Sequence, residues 1–332
     1  MKGIEEKLNA AIEAVGKACR VCGRIQGALS RDGILNKDDG SPVTVADFAS
    51  QAVVCGFLGQ AFKERAVIVA EEGADALRSP ENSGILDAVL GAVQKEMQHV
   101  TAEKVLEWIQ VGGGDAVDDG FWTLDPIDGT KGFLRGDQYA VALAYIEKGM
   151  PVLGVLGCPN LDIGDRKGAI FAAARGESCE MYSVFPEAGE RDGAYAHLRT
   201  VRAPVKTDSA RARFCESVEK AHTNQSVSAR IAAVAGLSPE PYRIDSQCKY
   251  AVVAMGEACL YLRVPTKRGY REKIWDHAAG ALVVECAGGM VTDLDGKRLD
   301  FSTGCRLEQN RGVVATSGSI HSRVLDGVRV SP

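Results

Sequence analysis

Apolar residues near the start of the chain recur at alternating intervals of three and four positions. This spacing predicts an amphipathic helix over residues 4–29, because it places the apolar side chains on one helical face. Its apolar positions are Leu8, Ile12, Val15, Cys19, Cys22, Ile25 and Leu29. Further along, the pattern predicts a short extended piece and a helix within 43–58, helical segments within 85–109, and a helix over 275–289. That last segment ends in glycines, a common C-terminal signal.

Shorter apolar runs bounded by turn residues predict strands. The run at 66–72 indicates a buried strand with an acidic end, and residues 139–157 indicate two strands around the turn EKGMP. Further strands are predicted in the hairpin 170–184 and at 258–264, while residues 242–256 combine a strand with a helix. This mixture of helices and strands predicts an α/β (mixed α+β) fold class.

The chain carries no internal repeat and no low-complexity linker. Its 332 residues are enough for one large or two medium domains. A weak change of pattern near residues 155–160 favours a boundary there. We therefore expect an N-terminal α+β domain over 1–157, with most of the candidate metal ligands, and a C-terminal α/β domain over 158–332.

Composition narrows the class of protein. The chain is 45% hydrophobic and 25% charged, as soluble globular proteins are, and no apolar run approaches the roughly 20 residues that span a bilayer. The start, MKGIEEKLNAA, lacks the apolar stretch of a secretory signal. A net charge of −5 argues against nucleic-acid polymers as partners but allows a small polyanion. We expect a cytoplasmic protein without a membrane partner.

Ten cysteines are many for a chain of this size. Only Cys19 and Cys22 form a close pair, and no second pair completes a zinc spacing. Most of the others lie among Ala, Val and Leu, where free cysteine behaves as a small hydrophobe. The pattern favours a reducing intracellular compartment. Cys19 and Cys22 are either a redox switch or part of the apolar face of the first helix.

Two aspartates three residues apart occupy the segment D-P-I-D-G-T at 125–130. Pro126 fixes its own φ and Gly129 permits a sharp chain reversal, so that Asp125 and Asp128 can converge on one point. Two unpaired carboxylates at short distance repel each other and raise a pKa. A divalent cation removes that cost, and hard oxygen ligands select Mg²⁺ or Mn²⁺.

Other acidic residues stand at the ends of predicted elements. Glu71 and Glu72 close the strand at 66–72, Asp47 lies at a helix start, and Asp276 opens the helix over 275–289. Taken singly, the two aspartates are explained equally well as helix N-caps, and the glutamates as a solvated strand end. Taken together with backbone N–H groups after Asp128, they suit a metal-dependent site for a phosphoryl group.

Two familiar motifs do not fit the chain. It has no G-x-x-x-x-G-K-[ST] phosphate loop, which argues against a nucleoside triphosphatase. The segment TDLDGKRLDF at 292–301 has alternating acids but lacks the full EF-hand spacing.

The segments D-P-I-D-G-T at 125–130 and W-D-H-A-A-G at 275–280 resemble the two signatures of the lithium-sensitive, magnesium-dependent phosphatases related to inositol monophosphatase. KGFLRGDQYAVAL, GVLGCPNL, RIDSQCKY and YREKIWDHAAG are more specifically similar to the 3′(2′),5′-bisphosphate nucleotidases of that superfamily. The resemblance runs from about residue 41 to 304. It implies a two-domain, layered α-β-α-β-α sandwich with the site between the domains.

The resemblance also implies roles for individual residues. Two or three magnesium ions would be held by Glu71, Asp125, the carbonyl of Ile127, Asp128 and Asp276. Asp47 and Thr130 would orient and deprotonate the attacking water. Gly73 stands where relatives often carry a further acid.

A second phosphate on the substrate needs cations. The resemblance implies that Lys249 and Arg263 contact a 5′-phosphate, with Ser246, Gly129, Thr130, Asp276 and His222 also near the nucleotide. His222 is otherwise an ordinary capping or surface histidine, and Arg263 a strand residue facing solvent. Further basic residues crowd the same motifs, namely Lys131, Arg135, Lys267, Arg268, Arg271 and Lys273.

The resemblance implies a hydrolase of sulfur metabolism that acts on a small nucleotide, and we expect it to be a monomer. It would remove the 3′-phosphate of adenosine 3′,5′-bisphosphate, and of 3′-phosphoadenosine 5′-phosphosulfate as a second substrate, by direct in-line water attack. One alternative is an inositol polyphosphate 1-phosphatase, or an enzyme with both activities. Another is a nucleotide sensor without turnover, against which the retention of every expected carboxylate and of Thr130 argues.

Overall fold

The computed structural model describes residues 2–28, 34–37, 42–63, 66–116, 120–185, 195–204, 212–218, 225–238, 240–267 and 269–331. The described α-helices are Lys2–Gln26 (α1), Val45–Ala61 (α2), Asp75–Arg78 (α3), Ser83–Gln94 (α4), Ala102–Val111 (α5), Thr130–Arg135 (α6), Gln225–Val234 (α7), Cys248–Met255 (α8), Ala278–Cys286 (α9) and His321–Val330 (α10). The described strands are Ile34–Asn36 (β1), Pro42–Thr44 (β2), Ile68–Ala70 (β3), Phe121–Asp128 (β4), Ala140–Glu147 (β5), Met150–Asp162 (β6), Lys167–Ala174 (β7), Cys179–Ser183 (β8), His197–Val201 (β9), Phe214–Glu216 (β10), Tyr242–Arg243 (β11), Leu260–Arg263 (β12), Met290–Thr292 (β13) and Val313–Thr316 (β14).

Within the described residues the strands form two main sheets and one small hairpin. The large sheet has seven strands in the order β3-β4-β5-β6-β7-β8-β9 and is antiparallel except for the parallel pair β3-β4. The small sheet has five strands in the order β11-β10-β12-β14-β13 and is mixed. The strands β1 and β2 pair with each other, just before α2.

The elements stack in five layers. Helices α1 and α2 pack on one face of the large sheet, and α9 packs on its other face. Helices α8 and α9 in turn contact the small sheet, whose far side is covered by α7 and α10. Three apolar cores fill the spaces between these layers. This arrangement confirms the predicted α-β-α-β-α sandwich, because each sheet buries both of its faces against helices.

The apolar face of α1 packs directly against β6. Cys19 and Cys22 are completely buried there, and a Cβ atom on Gly157 of β6 would overlap the Sγ of Cys19. Burial also raises the pKa of both thiols, which keeps them protonated. The interpretation of this pair as part of the helix core is therefore confirmed. All ten cysteines lie in the described residues as free thiols.

The predicted domain boundary can be located relative to the strands. The predicted boundary after residue 157 falls inside β6, and β7, β8 and β9 continue the same sheet beyond it. The small sheet begins only at Phe214. Strand pairing therefore carries the large sheet past the predicted boundary as far as β9. The sequence shows no break at this point because β6 and β7 belong to one hairpin-connected antiparallel sheet.

Several elements differ in extent from the prediction. The helical pattern within 85–109 is split into α4 and α5, and α9 begins three residues after Trp275. Helix α10 and strands β13 and β14 were not predicted. No helix in the described residues is both long and apolar enough to cross a membrane.

Candidate active site

A cleft of about 360 Å³ joins the end of the large sheet to the small sheet and to the turn before α9. Most of the residues predicted to form a site line it, although they are spread over more than two hundred positions of the chain. They are Glu71, Asp125, Ile127, Asp128, Gly129, Thr130, Ser246, Lys249, Arg263 and Asp276. His222, the other predicted substrate contact, lies outside the described residues.

An irregularity in β4 brings its two aspartates to the same side. Asp125 pairs with Ala142 and Asp128 with Ala140, so that three steps along β4 face two steps along β5. One extra residue of this kind is a β-bulge, which bends the strand and re-aims side chains. The DPID segment is thus the irregular end of a strand, and the sharp reversal comes at Gly129, whose φ is +87°.

The Asp125 carboxyl has the burial and the unpartnered oxygen atom of a cation ligand. It is 2% exposed, and its Oδ1 has no hydrogen-bond partner among the described residues. Burial first, and then the charges of Glu71, Asp128 and Asp276, raise its pKa well above the usual range. Burial also raises the pKa of Asp128 and of Asp276. Oxygen ligands that repel one another and leave an acceptor unused fit a hard divalent cation such as Mg²⁺.

Asp47 lies behind the wall of the cleft and reaches it through Thr130. The Thr130 hydroxyl donates to Asp47 Oδ1 at 3.3 Å, and the Thr44 N–H and hydroxyl donate to Asp47 Oδ2 at 2.8 and 2.7 Å. Burial raises the pKa of Asp47 to about 6, although the hydrogen bonds from Thr44 oppose this shift. The N-cap of α2 is Thr44, and Asp47 is the N3 residue of a capping box, so the explanation of Asp47 as the N-cap itself is wrong.

Glu71 and Glu72 share one cation that the sequence analysis did not single out. Lys37 Nζ lies 2.7 Å from Glu71 Oε1 and 2.5 Å from Glu72 Oε1. Glu72 is 6% exposed, so its interpretation as a solvated strand end is wrong. Burial, together with the charge of Glu71, raises the pKa of Glu72 to about 8. Glu71 faces the cleft, whereas the Glu72 backbone is held by Gln51 of α2.

Gln247 connects the end of β4, which carries Asp128, to the turn that carries Asp276. Its backbone N–H donates to Asp128 Oδ2 at 2.6 Å, and its side-chain amide donates to the carbonyl of Trp275 at 2.9 Å. Its Oε1 accepts from the N–H of Gly280 in the first turns of α9. The turn that carries Asp276 is thereby tied to the strand that carries Asp128. Asp276 itself precedes α9, whose N-cap is His277, so Asp276 is not the capping residue.

Lys249 supplies one cation at the other end of the cleft. It lies in the first turn of α8 and is 5% exposed, with Nζ donating to the Ser217 hydroxyl at 3.1 Å and standing 5.3 Å from the centre of the Tyr261 ring. Burial lowers its pKa, although the charges of Asp128 and Asp245 oppose this. An ammonium group buried with few charge partners gains from the arrival of an anion.

Arg263 supplies the second cation from the end of β12. Its side chain is 16% exposed and its Nε donates to both oxygens of Glu272, at 3.2 and 3.1 Å. The alternative of a strand residue facing solvent is therefore wrong. Glu272, Asp276 and His277 also bring ligand atoms within 4.8 Å of one another. Arg263 and His277 already contact Glu272 there, so this group is an ion-pair network beside the cleft.

The remaining basic residues have mixed positions. Lys131 and Lys273 line the cleft, whereas Arg135 forms an ion pair with Asp245 and Arg271 donates to the Glu308 carbonyl. Lys267 is exposed, and Arg268 lies outside the described residues. Sequence reasoning missed Lys37, Ser217, Tyr261, Tyr270 and Arg306, which also line the cleft. Lys37, Ser217, Tyr261 and Arg306 stand outside the recognised segments, whereas Tyr270 begins the segment YREKIWDHAAG and could have been found there.

Comparison with known proteins agrees with this geometry. The chain matches the Inositol monophosphatase family over residues 4–330. It is 41% identical over 337 residues to a Schizosaccharomyces pombe protein named 3′(2′),5′-bisphosphate nucleotidase, an alignment covering 95% of this chain and 93% of the relative. A Dictyostelium discoideum protein of the same name is 38% identical, with 97% and 96% covered.

Solved structures share the fold at lower sequence identity. The Thermotoga maritima IMPase aligns with a TM-score of 0.65 at 21% identity, covering 97% of this chain and 96% of that one. CysQ from Bacteroides thetaiotaomicron aligns with a TM-score of 0.57 at 21% identity, covering 93% and 96%. These similarities show that the layered sandwich is the fold of that family.

Proposed function

The chain belongs to the inositol monophosphatase family, and from this premise we propose that it is a magnesium-dependent 3′(2′),5′-bisphosphate nucleotidase. It would convert adenosine 3′,5′-bisphosphate to 5′-AMP and phosphate. The observation that carries the proposal is that one cleft contains both a group of carboxylates and the cations Lys249 and Arg263. A bisphosphate nucleotide can place its reacting phosphate at the metal-binding carboxylates and its second phosphate at the two cations.

The proposed metal ligands are the carboxylates that repel one another around the buried Asp125 oxygen. They are Glu71, Asp125, the carbonyl of Ile127, Asp128 and Asp276, and the family resemblance suggests two or three ions. Bound Mg²⁺ would neutralise charge on the transferring phosphoryl group and lower the pKa of a water molecule. Lys37 Nζ pairs with Glu71, and burial raises the pKa of Asp125, so both side chains have a reason to exchange their present environment for a cation.

Asp47 and Thr130 are the proposed catalytic pair. The hydrogen bond from Thr130 to Asp47 Oδ1, and the two from Thr44 to Oδ2, fix the carboxylate next to the reacting end of the cleft. In this position the pair orients a water molecule, and Asp47 accepts its proton as the water attacks in line with the leaving 3′ oxygen. The reaction needs no covalent enzyme intermediate.

Substrate selection is assigned to the cationic end. Lys249 and Arg263 bind the 5′-phosphate, and Gly129, Thr130 and Ser246 line the wall between the two ends. His222 is kept as a proposed nucleotide contact and Asp276 as a ligand that also faces the substrate. The same contacts suit 3′-phosphoadenosine 5′-phosphosulfate, which has the same 3′-phosphate and a 5′ group that is also anionic.

Steady-state phosphate release tests the proposal. We expect turnover of adenosine 3′,5′-bisphosphate to exceed that of inositol 1-phosphate, and to stop when Mg²⁺ is chelated. Faster turnover of inositol 1,4-bisphosphate would instead identify an inositol polyphosphate 1-phosphatase, and equal rates an enzyme with both activities. Tight binding of the nucleotide without phosphate release in Mg²⁺ would identify a sensor.

A further inference from the structure

Four side chains form a hydrogen-bonded chain behind the cationic end of the cleft. Arg263 Nε donates to Glu272, Glu272 Oε2 lies 3.4 Å from His277 Nε2, and His277 Nδ1 lies 2.7 Å from the Tyr250 hydroxyl. Glu272, His277 and Tyr250 are each at most 2% exposed. The first member, Arg263, is the only one of the four that we have assigned to substrate binding.

Glu272 is the member that holds Arg263 in place. Both of its oxygens accept from Nε, the inner nitrogen of the guanidinium. An arginine side chain has several rotatable bonds and considerable conformational entropy, so its head group points in one direction only when a partner fixes it. Because the carboxylate engages the inner nitrogen while Arg263 lines the cleft, this contact sets the direction of the guanidinium toward the cleft.

The position of Glu272 is itself fixed from behind. Its carbonyl accepts from the N–H of Leu307, and its carboxylate contacts His277 at the start of α9. Tyr250 of α8, the partner of His277, packs edge-on against Tyr261 at 4.9 Å between ring centres. A Cβ atom on Gly280 would overlap the Tyr250 ring, so this close packing requires glycine in α9. Two helices and a strand thereby define where the carboxylate lies.

The same packing also places the other cation. Lys249 neighbours Tyr250 on α8, and its Nζ lies over the ring of Tyr261, which is two residues before Arg263 on β12. The separation of the two cations is consequently set by a rigid buried cluster. A rigid pair of cations matches a phosphate at one fixed distance from the reacting end of the cleft.

We propose that Glu272 is a positioning residue that determines specificity for substrates with a second phosphate, through its contacts with Arg263 and His277. This inference rests on the proposed function, since it assigns a purpose to the Arg263 contact of that same site. Glu272 does not touch the reacting phosphate. Its loss therefore affects binding of the distal phosphate and leaves the chemical step unchanged.

The test compares two substrates in Glu272 variants. In E272A we expect the KM for adenosine 3′,5′-bisphosphate to rise by about tenfold or more, because the charge-assisted contact between Arg263 and the 5′-phosphate is lost. The value of kcat should change little. The KM for adenosine 3′-monophosphate should stay within about threefold of the wild-type value, because this substrate has no 5′-phosphate for Arg263 to bind. E272Q keeps an acceptor for Nε and should restore most of the bisphosphate KM.

A double variant separates positioning from a general structural role. If Glu272 acts through Arg263, the KM of R263A/E272A for the bisphosphate should equal that of R263A. The matched control is E96A, because Glu96 is a similarly buried carboxylate held by Arg20 and Arg24 away from the cleft. E96A should lower the melting temperature but leave the ratio of the two KM values unchanged.

The outcomes are distinguishable. Equal rises in KM for both substrates in E272A, or additive effects in the double variant, would overturn the role of Glu272 while the proposed function stands. Wild-type protein that does not hydrolyse adenosine 3′,5′-bisphosphate in Mg²⁺ would overturn the proposed function, and this inference with it. If E272A does not fold, E272D replaces it, because it keeps the charge but is one methylene too short to hold Arg263 Nε. E272D should raise the KM for the bisphosphate and spare the KM for the monophosphate, and an unchanged ratio of the two KM values would contradict the inference.

Discussion

The Asp125 carboxyl group is buried next to other carboxyl groups, and its Oδ1 has no donor in the described part of the chain. In the metal-free protein this arrangement costs stability, since burial and like charges both disfavour the ionised form. In the proposed function the same oxygen is a metal ligand. On that proposal, Asp125 serves the metal-bound site at the expense of the stability of the metal-free protein.

Replacing Asp125 by Asn should stabilise the metal-free protein and abolish activity. The amide has no charge to bury, so the melting temperature in a chelator should rise by a few degrees, whereas the increase that Mg²⁺ causes in wild type should disappear. Differential scanning fluorimetry with and without Mg²⁺ measures both effects. Asp165→Asn, on a side chain that is 90% exposed, is the control and should change neither. A lower metal-free melting temperature in Asp125→Asn would contradict the assignment.

Asp128 combines a proposed role as metal ligand with an observed contact to the Gln247 N–H. Asp128→Ala removes a proposed metal ligand and the acceptor of the Gln247 N–H, but little core volume, because the side chain is only half-buried. We expect turnover to fall by about a thousandfold or more, as loss of a central electrostatic group does, with a cooperative unfolding transition retained. Assays of phosphate release measure the turnover, and thermal unfolding followed by circular dichroism measures the transition. Substantial residual turnover would count against Asp128 as a ligand.

At the scale of elements, the junction between β4 and α6 shapes the reacting end. The bulge in β4 turns Asp125 and Asp128 to one side, and Gly129 then reverses the chain in a left-handed conformation before Thr130 begins α6. A Cβ atom on Gly129 would also lie 2.9 Å from the Cβ of Ser246. This junction and the loop before α8 therefore approach each other more closely than any side chain permits.

Gly129→Ala should damage both fold and site. A left-handed alanine costs roughly 1–2 kcal/mol, and the contact with Ser246 adds displacement of the loop that carries the Gln247 bond to Asp128. The matched control is Gly136→Ala at the other end of α6, where φ is +76° but no atom lies within 4 Å of the new Cβ. Urea unfolding should show a lower free energy of unfolding in both variants, whereas only Gly129→Ala should raise the KM for the nucleotide. Equal KM values in the two variants would contradict a role in the site for the close approach of Gly129 to Ser246.

At the scale of the whole molecule, the acidic group is assembled from four separate segments. Asp47 comes from α2, Glu71 follows β3, Asp125 and Asp128 lie on β4, and Asp276 precedes α9. Their mutual repulsion is a property of the folded state, because the unfolded chain keeps these groups apart. Stability of the metal-free protein should consequently depend on pH through the members whose pKa is raised, namely Asp47, Asp125, Asp128 and Asp276.

The sign of that dependence follows from the raised pKa values. Glu72 titrates near 8 in the folded protein, and Asp125 and Asp276 are also raised, whereas the unfolded chain titrates near 4 to 4.5. Between these limits the folded state binds more protons, so the free energy of unfolding falls as pH rises. The stability that protonated Glu72 contributes is fully present below its unfolded pKa and is lost above about pH 8, and Asp125 and Asp276 act in the same direction.

Urea unfolding in a chelator at about pH 6 and about pH 8 measures this slope, and we expect greater stability at the lower pH. Excess Mg²⁺ should reverse it, because metal binding requires deprotonated ligands. The Asp125→Asn variant should show a shallower slope in the chelator. A metal-free protein that gains stability as pH rises from 6 to 8 would contradict the buried carboxylate group.

The sequence by itself determined the local features of this protein. Periodicity located α1, α2 and the hairpin β5-β6, and the D-P-I-D-G-T and W-D-H-A-A-G segments located Asp125, Asp128 and Asp276, because backbone propensity and signature residues act over a few positions. Only the tertiary structure decided which acids meet, that Glu72 is buried against Lys37, that the large sheet continues to β9, and that Glu272 stands behind Arg263. Contacts between distant segments depend on strand order and layer packing, and no local pattern encodes either.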